Sequence, residues 1–206
     1  MIVLVGLGLV AVLGIGLRAA GAIPSVHAYY LPSEGMMPTL AKGDHILAAT
    51  GVTPPFTRGE IILFRTGRGE TYTKRVAGLP GDRIALVGGK VVLNGKLVPQ
   101  QTLGTAPGAC DPSGPAPPAQ RLSERFPGEA LPHEIQDCGP SVADDFAEQL
   151  VAPGHLFVLG DNRDDSADSR IPPDLGGVSK VAIADVTGRA PIYTFARGRR
   201  FGQSVR

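Results

Sequence analysis

The chain has 206 residues, a formal net charge of +1 and 19% charged side chains, so it carries no electrostatic footprint for nucleic acid. With 28 glycines, 19 prolines, no tryptophan and 43% hydrophobic residues, it is neither a disordered chain nor one built of long helices. The composition points to many turns and short strands, a mostly β fold of one domain or one domain with an insertion.

Met1 to Leu17 has no charged side chain, and beyond Arg18 the apolar run continues to Ile23. A spanning helix needs about 20 apolar residues, so residues 1–22 read as a transmembrane anchor in which Arg18 snorkels. A cleaved signal peptide fits less well. The positive n-region is missing, and the run exceeds an apolar region of about 7–15 residues. Gly6-Leu7-Gly8-Leu9-Val10-Ala11 satisfies a G-x-G-x-x-A dinucleotide pattern. It lacks an acidic residue about 20 positions on, and no βαβ pattern follows. Those glycines suit close packing of a membrane helix. The N-terminal side of the run has no Lys or Arg, so charge does not give its orientation.

Ile23 to Tyr30 reads as an extended lead-in. Tyr29-Tyr30-Leu31-Pro32-Ser33-Glu34-Gly35-Met36-Met37-Pro38-Thr39-Leu40 is bracketed by two prolines and cannot be helix interior. It offers hydroxyls, an unhindered amide at Gly35 and flexible apolar walls. Ile46 to Ala48 reads as a strand, and Ile61 to Arg65 as a strand of the buried kind. Thr71 to Ala77 alternates and carries Lys74 in its middle. Leu79-Pro80-Gly81-Asp82 is a turn by its chemistry. Ile84–Val87 and Val91–Val98 read as strands, the latter containing Asn94-Gly95, a strong hairpin signal.

From 99 to 153 prolines recur, polar residues dominate and no period holds, so this segment reads as an irregular Pro-rich insertion. Its Cys110 and Cys138 fit one disulfide in an oxidising compartment, with two free thiols as the alternative. Together with His133 they lack the paired spacing of a zinc site. Gly154 to Gly160 reads as a strand, and Ile183–Val186 and Arg189–Phe195 as closing strands. Residues 23–98 and 154–195 then form the core, and 196–206 a basic tail, solvated or in contact with anionic lipid.

Hydrolytic chemistry needs a nucleophile, a base and oxyanion donors. The chain has no G-x-S-x-G elbow and no H-E-x-x-H, and its four histidines are scattered. Asp161-x-Arg163-x-Asp165 fails as a calcium loop, because Arg163 occupies a ligand position. No metal or cofactor is expected. A Ser/Lys arrangement is left, with Lys74 as candidate base. Desolvation in mid-strand lowers a lysine pKa toward neutrality, although an outward-facing lysine is the commoner case.

Three stretches carry a resemblance: Tyr29 to Leu40, Tyr72-Thr73-Lys74-Arg75-Val76-Ala77-Gly78-Leu79-Pro80-Gly81-Asp82-Arg83, and Gly160-Asp161-Asn162-Arg163-Asp164-Asp165-Ser166-Ala167-Asp168-Ser169-Arg170. With Arg58-Gly59-Glu60-Ile61-Ile62-Leu63-Phe64, and in this order, they resemble the bacterial signal peptidase I family, membrane-anchored serine endopeptidases with a Ser/Lys dyad. The resemblance implies a signal-peptidase-type β core, with Lys74 as general base and Ser166 hydrogen-bonded to it. It implies Ser33 and the residue-35 amide as oxyanion donors, and ion pairs among Asp161, Arg163, Asp168 and Arg170. Leu31, Met36, Leu40, Tyr72 and Thr73 would line shallow pockets for small side chains, and the substrate would add as a strand along 29–33 and 71–74. The implied partners are signal peptides of exported preproteins and membrane lipid. The implied location is the cytoplasmic membrane, single pass, with the catalytic domain on the periplasmic side.

One departure falls on the nucleophile. The family pattern reads Pro-Ser-x-Ser-Met-x-Pro-Thr, and its second serine is Gly35 here. Glycine has no Oγ. Three readings stay open at this point: a Ser→Gly variant of an active peptidase, a non-catalytic paralogue that binds substrates or a partner, and rescue by Ser33. Alternate residues of an extended chain lie about 6–7 Å apart, so Ser33 does not reach the same attack point without rearrangement. A rival of another class is a membrane-tethered β scaffold, which expects Lys74 to be exposed.

Overall fold

The computed structural model describes residues 25–109 and 118–195. The anchor expected over 1–22, the tail over 196–206 and Cys110 lie outside the described residues. Among the described residues, no helix is long and apolar enough to cross a membrane.

The chain is mostly β. In order its strands are β1 (Ser25–Tyr30), β2 (His45–Thr50), β3 (Ile61–Arg65), β4 (Thr71–Gly78), β5 (Arg83–Val87), β6 (Lys90–Leu93) and β7 (Lys96–Leu97). There follow β8 (Gln100–Ala109), β9 (Pro118–Glu124), β10 (His133–Asp137), β11 (Phe146–Leu150), β12 (His155–Leu159), β13 (Val181–Ala182) and β14 (Val186–Phe195). They form a seven-stranded sheet of order β1-β2-β14-β3-β4-β12-β13, a three-stranded sheet β10-β9-β8 and a four-stranded sheet β11-β5-β6-β7.

The apolar run Ile61–Phe64 is buried on both faces, as a central strand requires. Leu63 pairs with Thr73, and Ile62 with Lys74 across β3 and β4. Asn94 and Gly95 both take positive φ, 53° and 73°, the conformation of a type I′ turn, and close the β6–β7 hairpin. One apolar cluster, with Ala77, Ile84, Val91, Phe126 and Phe157, joins the four-stranded sheet to the large one. A second, with Phe56, Ile62, Phe64, Val76, Leu156 and Val158, forms another part of the core. A third, of Leu31, Met36, Leu40, Ile46 and Ile61, holds the turn that follows β1.

Three sequence expectations change. The segment 99–153 is not irregular: β8, β9 and β10 make their own sheet, and β11 pairs with β5. Its strands have few apolar residues and are largely solvated: the described side chains of β8 from 101 to 105 and of β11 from 147 to 150 are exposed. In β9 Ala119, Leu122 and Glu124 are buried, the alternation slipping by one residue between Ala119 and Leu122. Residues 183–185 form a 3₁₀ turn rather than a strand, fixed where Ile183 N–H donates to Gly154 O at 2.8 Å. The alternation expected along β4 stops at Lys74, from which every residue to Gly78 is buried between β3 and β12.

Candidate active site

The turn between β1 and β2 is tied at its base by Leu31 N–H to Asp44 O, 3.0 Å, and Gly43 N–H to Leu31 O, 2.9 Å. Within it Met37 N–H donates to Glu34 O at 2.9 Å and Leu40 N–H to Met36 O at 2.8 Å. Leu31, Met36 and Leu40 point into the apolar cluster beneath. This leaves Ser33 exposed and Gly35 buried against the Asp-rich loop. An ideal Cβ on Gly35 would lie 3.0 Å from Lys74 Nζ, 3.1 Å from Asp165 O and 3.7 Å from Ser166 Cα. Its φ is outside the left-handed region, so an L side chain fits this backbone.

Lys74 is 5% exposed. Its Nζ lies 5.8 Å from the centroid of the Tyr72 ring. Burial holds the amine below its ordinary value near 10.5; Asp168, Asp161 and Asp165 pull the other way, and Arg170 adds to the lowering. An amine held so accepts a proton more readily near neutral pH than a solvated lysine does.

Around it sits a web of buried ion pairs. Arg75 holds Asp161 through Nε at 2.7 Å and Nη2 at 2.6 Å, and the Thr39 hydroxyl donates to the same carboxylate. Arg170 holds Asp168 through Nε at 3.0 Å and Nη2 at 2.9 Å, and the Gly160 N–H adds a bond at 3.0 Å. Arg163 bonds Glu124 of β9, which His133 Nε2 also approaches at 3.3 Å. Each carboxylate titrates below its ordinary value: burial opposes this, and the facing guanidinium outweighs it. All four residues expected to form ion pairs are in them, but only Asp168 and Arg170 pair with each other. Asp161 and Arg163 take Arg75 and Glu124, which sequence reasoning missed. Arg75 could have been noticed from the Lys74-Arg75 pair; Glu124 lies 39 positions from its partner and leaves no local sign.

Ser33, Gly35 and Lys74 share one groove of about 370 Å³ with Leu31, Met36, Leu40, Tyr72 and Thr73. Its walls include the 29–33 and 71–74 segments. Ser166 lies beside Gly35, its Cα 3.7 Å from the Cβ position there, yet the hydrogen bond expected from it to Lys74 is not formed. Its Oγ is buried and has no partner among the described residues. The side chain is folded over Gly160 instead: a Cβ there would lie 2.0 Å from Ser166 Oγ and 2.4 Å from Gly35 O. Only glycine allows these backbones to approach so closely.

The three-stranded sheet reaches the site through β10. Gln136 N–H donates to Asp161 O at 2.8 Å and Arg163 N–H to Gln136 O at 2.9 Å. Cys138 N–H donates to Asp164 Oδ2 at 2.6 Å. Cys138 is disulfide-bonded. Among the described residues, no set of three or more His, Cys, Asp or Glu side chains is arranged to hold a metal ion.

Fold and site together define a β protein that presents a buried amine to a groove between two strand segments, beside a turn with no side chain at residue 35. The sequence profile described as "Signal peptidase, peptidase S26" matches residues 4–195. The chain belongs to that family. A signal peptidase I of Pseudomonas fluorescens is 32% identical over 189 residues, covering 80% of this chain and 63% of its own length. One of Bacillus caldolyticus is 34% identical over 145 residues, covering 69% of this chain and 68% of its own length. The chain thus spans somewhat less than two thirds of the Pseudomonas protein. A solved structure of a signal peptidase I from Enterococcus faecalis V583 overlaps 67% of this chain and 98% of its own, with 22% identity and a TM-score of 0.37.

Proposed function

We propose that the groove binds signal peptides of exported preproteins, with a small residue such as Ala seated before the scissile bond. The site is that of a Ser/Lys endopeptidase whose nucleophile is missing, so the chain as it stands binds such peptides and leaves them whole. The single observation that carries this is the 3.0 Å between Lys74 Nζ and the Cβ position of residue 35. A serine hydroxyl carried there would sit within reach of a buried amine able to take its proton. The scaffold reading expects an exposed Lys74, and the side chain is 5% exposed.

In the full reaction Lys74 is the general base, and Ser33 with the residue-35 amide receives the oxyanion. Asp161, Arg163, Asp168 and Arg170 keep the loop rigid. Residues 1–22 anchor the chain in the cytoplasmic membrane with the groove on the periplasmic side. Cys110 and Cys138 pair in that oxidising compartment. An anchored protein of this kind meets a membrane-tethered peptide in two dimensions.

The test is equilibrium binding of a peptide that spans a cleavage site with Ala before the cut, followed by mass analysis after long incubation. Saturable binding with the peptide intact is expected. No binding would contradict the groove assignment, and a cut peptide would mean that another nucleophile, Ser33 first, is at work.

A further inference from the structure

One side chain of the Asp-rich loop has no part in the chemistry above. Asn162 is 3% exposed, and it grips the turn on both sides of residue 35. Its backbone N–H donates to Gly35 O at 3.3 Å. Its side-chain Nδ2 donates to Glu34 O at 3.3 Å. The Glu34 oxygen also accepts the Met37 N–H at 2.9 Å. Asn162 Oδ1 is buried with no partner among the described residues. Turning the amide over would set its oxygen against the Glu34 oxygen, so the present orientation is the one that bonds. A buried amide kept at that cost points to a task for its NH2 group.

The peptide unit between Glu34 and Gly35 is trans; the cis bonds among the described residues are Met37–Pro38 and Pro54–Pro55. In a planar trans unit the C=O and N–H point in opposite directions. Asn162 and Met37 hold the Glu34 oxygen on one side, which turns the Gly35 N–H to the other. Gly35, unlike Glu34, lines the groove. We infer that Asn162 is a positioning residue that aims the residue-35 amide into the groove as an oxyanion donor. This rests on the proposed function and deepens it. The same amide should receive the terminal carboxylate of a cleaved product.

The experiment uses the full chain and two peptides of one sequence ending in Ala, one with a free carboxylate and one with a terminal amide. The native chain should bind the carboxylate form more tightly. Asn162→Leu, close in shape but without the donor, should lose about tenfold for the carboxylate and stay within about twofold for the amide. Asn162→Ala should behave likewise. In a Gly35→Ser background either change should lower kcat and leave KM in place. Equal weakening of both peptides would mean a packing role only, and no weakening would mean none; either result overturns the inference while the peptide site stands. A native chain that binds neither peptide would sink the peptide site and the inference with it. If neither variant folds, the native chain decides by NMR. The Gly35 amide proton must move downfield with the carboxylate peptide and not with the amide peptide, and equal movement overturns the inference.

Discussion

Gly160→Ala adds one methyl group where the site has no room. That carbon would lie 2.4 Å from the Gly35 carbonyl oxygen and 2.5 Å from Ser166 Cβ, whereas ordinary contact begins near 3.4 Å. The Gly35 backbone must retreat by about 1 Å, and it cannot do so by rotating a side chain. Overpacking of this kind costs about 1–3 kcal/mol, and we expect the upper end because the obstacle is backbone. A shift of about 1 Å at a reacting group lowers rate by roughly 100-fold. Urea unfolding should report the first effect. Peptide binding by the native chain, and kcat/KM in the Gly35→Ser background, should report the second. Gly67→Ala is the control: its added carbon meets nothing within 4 Å, and its φ lies outside the left-handed region. It should stay within about 0.5 kcal/mol of the parent. If Gly160→Ala proves as harmless as Gly67→Ala, the close approach of the turn and the loop is wrong.

Two further outcomes are expected. Glu124→Ala strands Arg163, which is 2% exposed, and should cost about 3–5 kcal/mol; Arg163→Met in the same chain should recover much of it. Glu124 titrates below its ordinary 4.5, so its contribution is full above that pH and fades as pH falls. The gap between parent and Glu124→Ala in urea should therefore narrow in acid, and a gap that is constant with pH would contradict the pairing. For Lys74 the sign is opposite. Its folded pKa is below 10.5, so the unfolded chain binds more protons between the two values, and stability rises with pH across that window. Lys74→Met should remove this rise, and an NMR titration of Lys74 that moves only near 10.5 would refute a preorganised base.

Much of the site was legible in three local stretches, since turn chemistry and the Lys74 strand are written in neighbouring residues. Ile61–Phe64 gave a buried strand by its apolar run, and Asn94-Gly95 gave a hairpin by its backbone preference. Residues 99–153 were not legible. Strands such as β8 and β11 carry few apolar side chains and are exposed over most of their described side chains, so their pairing depends on distant partners. The same holds for the polar web. Arg163–Glu124 and Arg75–Asp161 join residues 39 and 86 positions apart, and such pairs leave no periodic mark. Ser166 is a different case: its place beside Gly35 follows from the loop, but its missing bond to Lys74 depends on how the side chain packs over Gly160, which local sequence does not show.

The measurement closest to the central claim is cleavage by Gly35→Ser. The added Cβ meets Lys74 Nζ at 3.0 Å, a flexible tip, and Asp165 O at 3.1 Å, so the loop backbone must also yield a few tenths of an ångström; the φ of residue 35 accepts an L residue. Removing the nucleophile from a set of residues that act together removes several orders of magnitude in rate, so restoring it should be plain over background. The account predicts a single cut after the Ala of a signal peptide, absent in the native chain and absent again in Gly35→Ser with Lys74→Ala. A folded Gly35→Ser chain that binds the peptide and leaves it whole would contradict it.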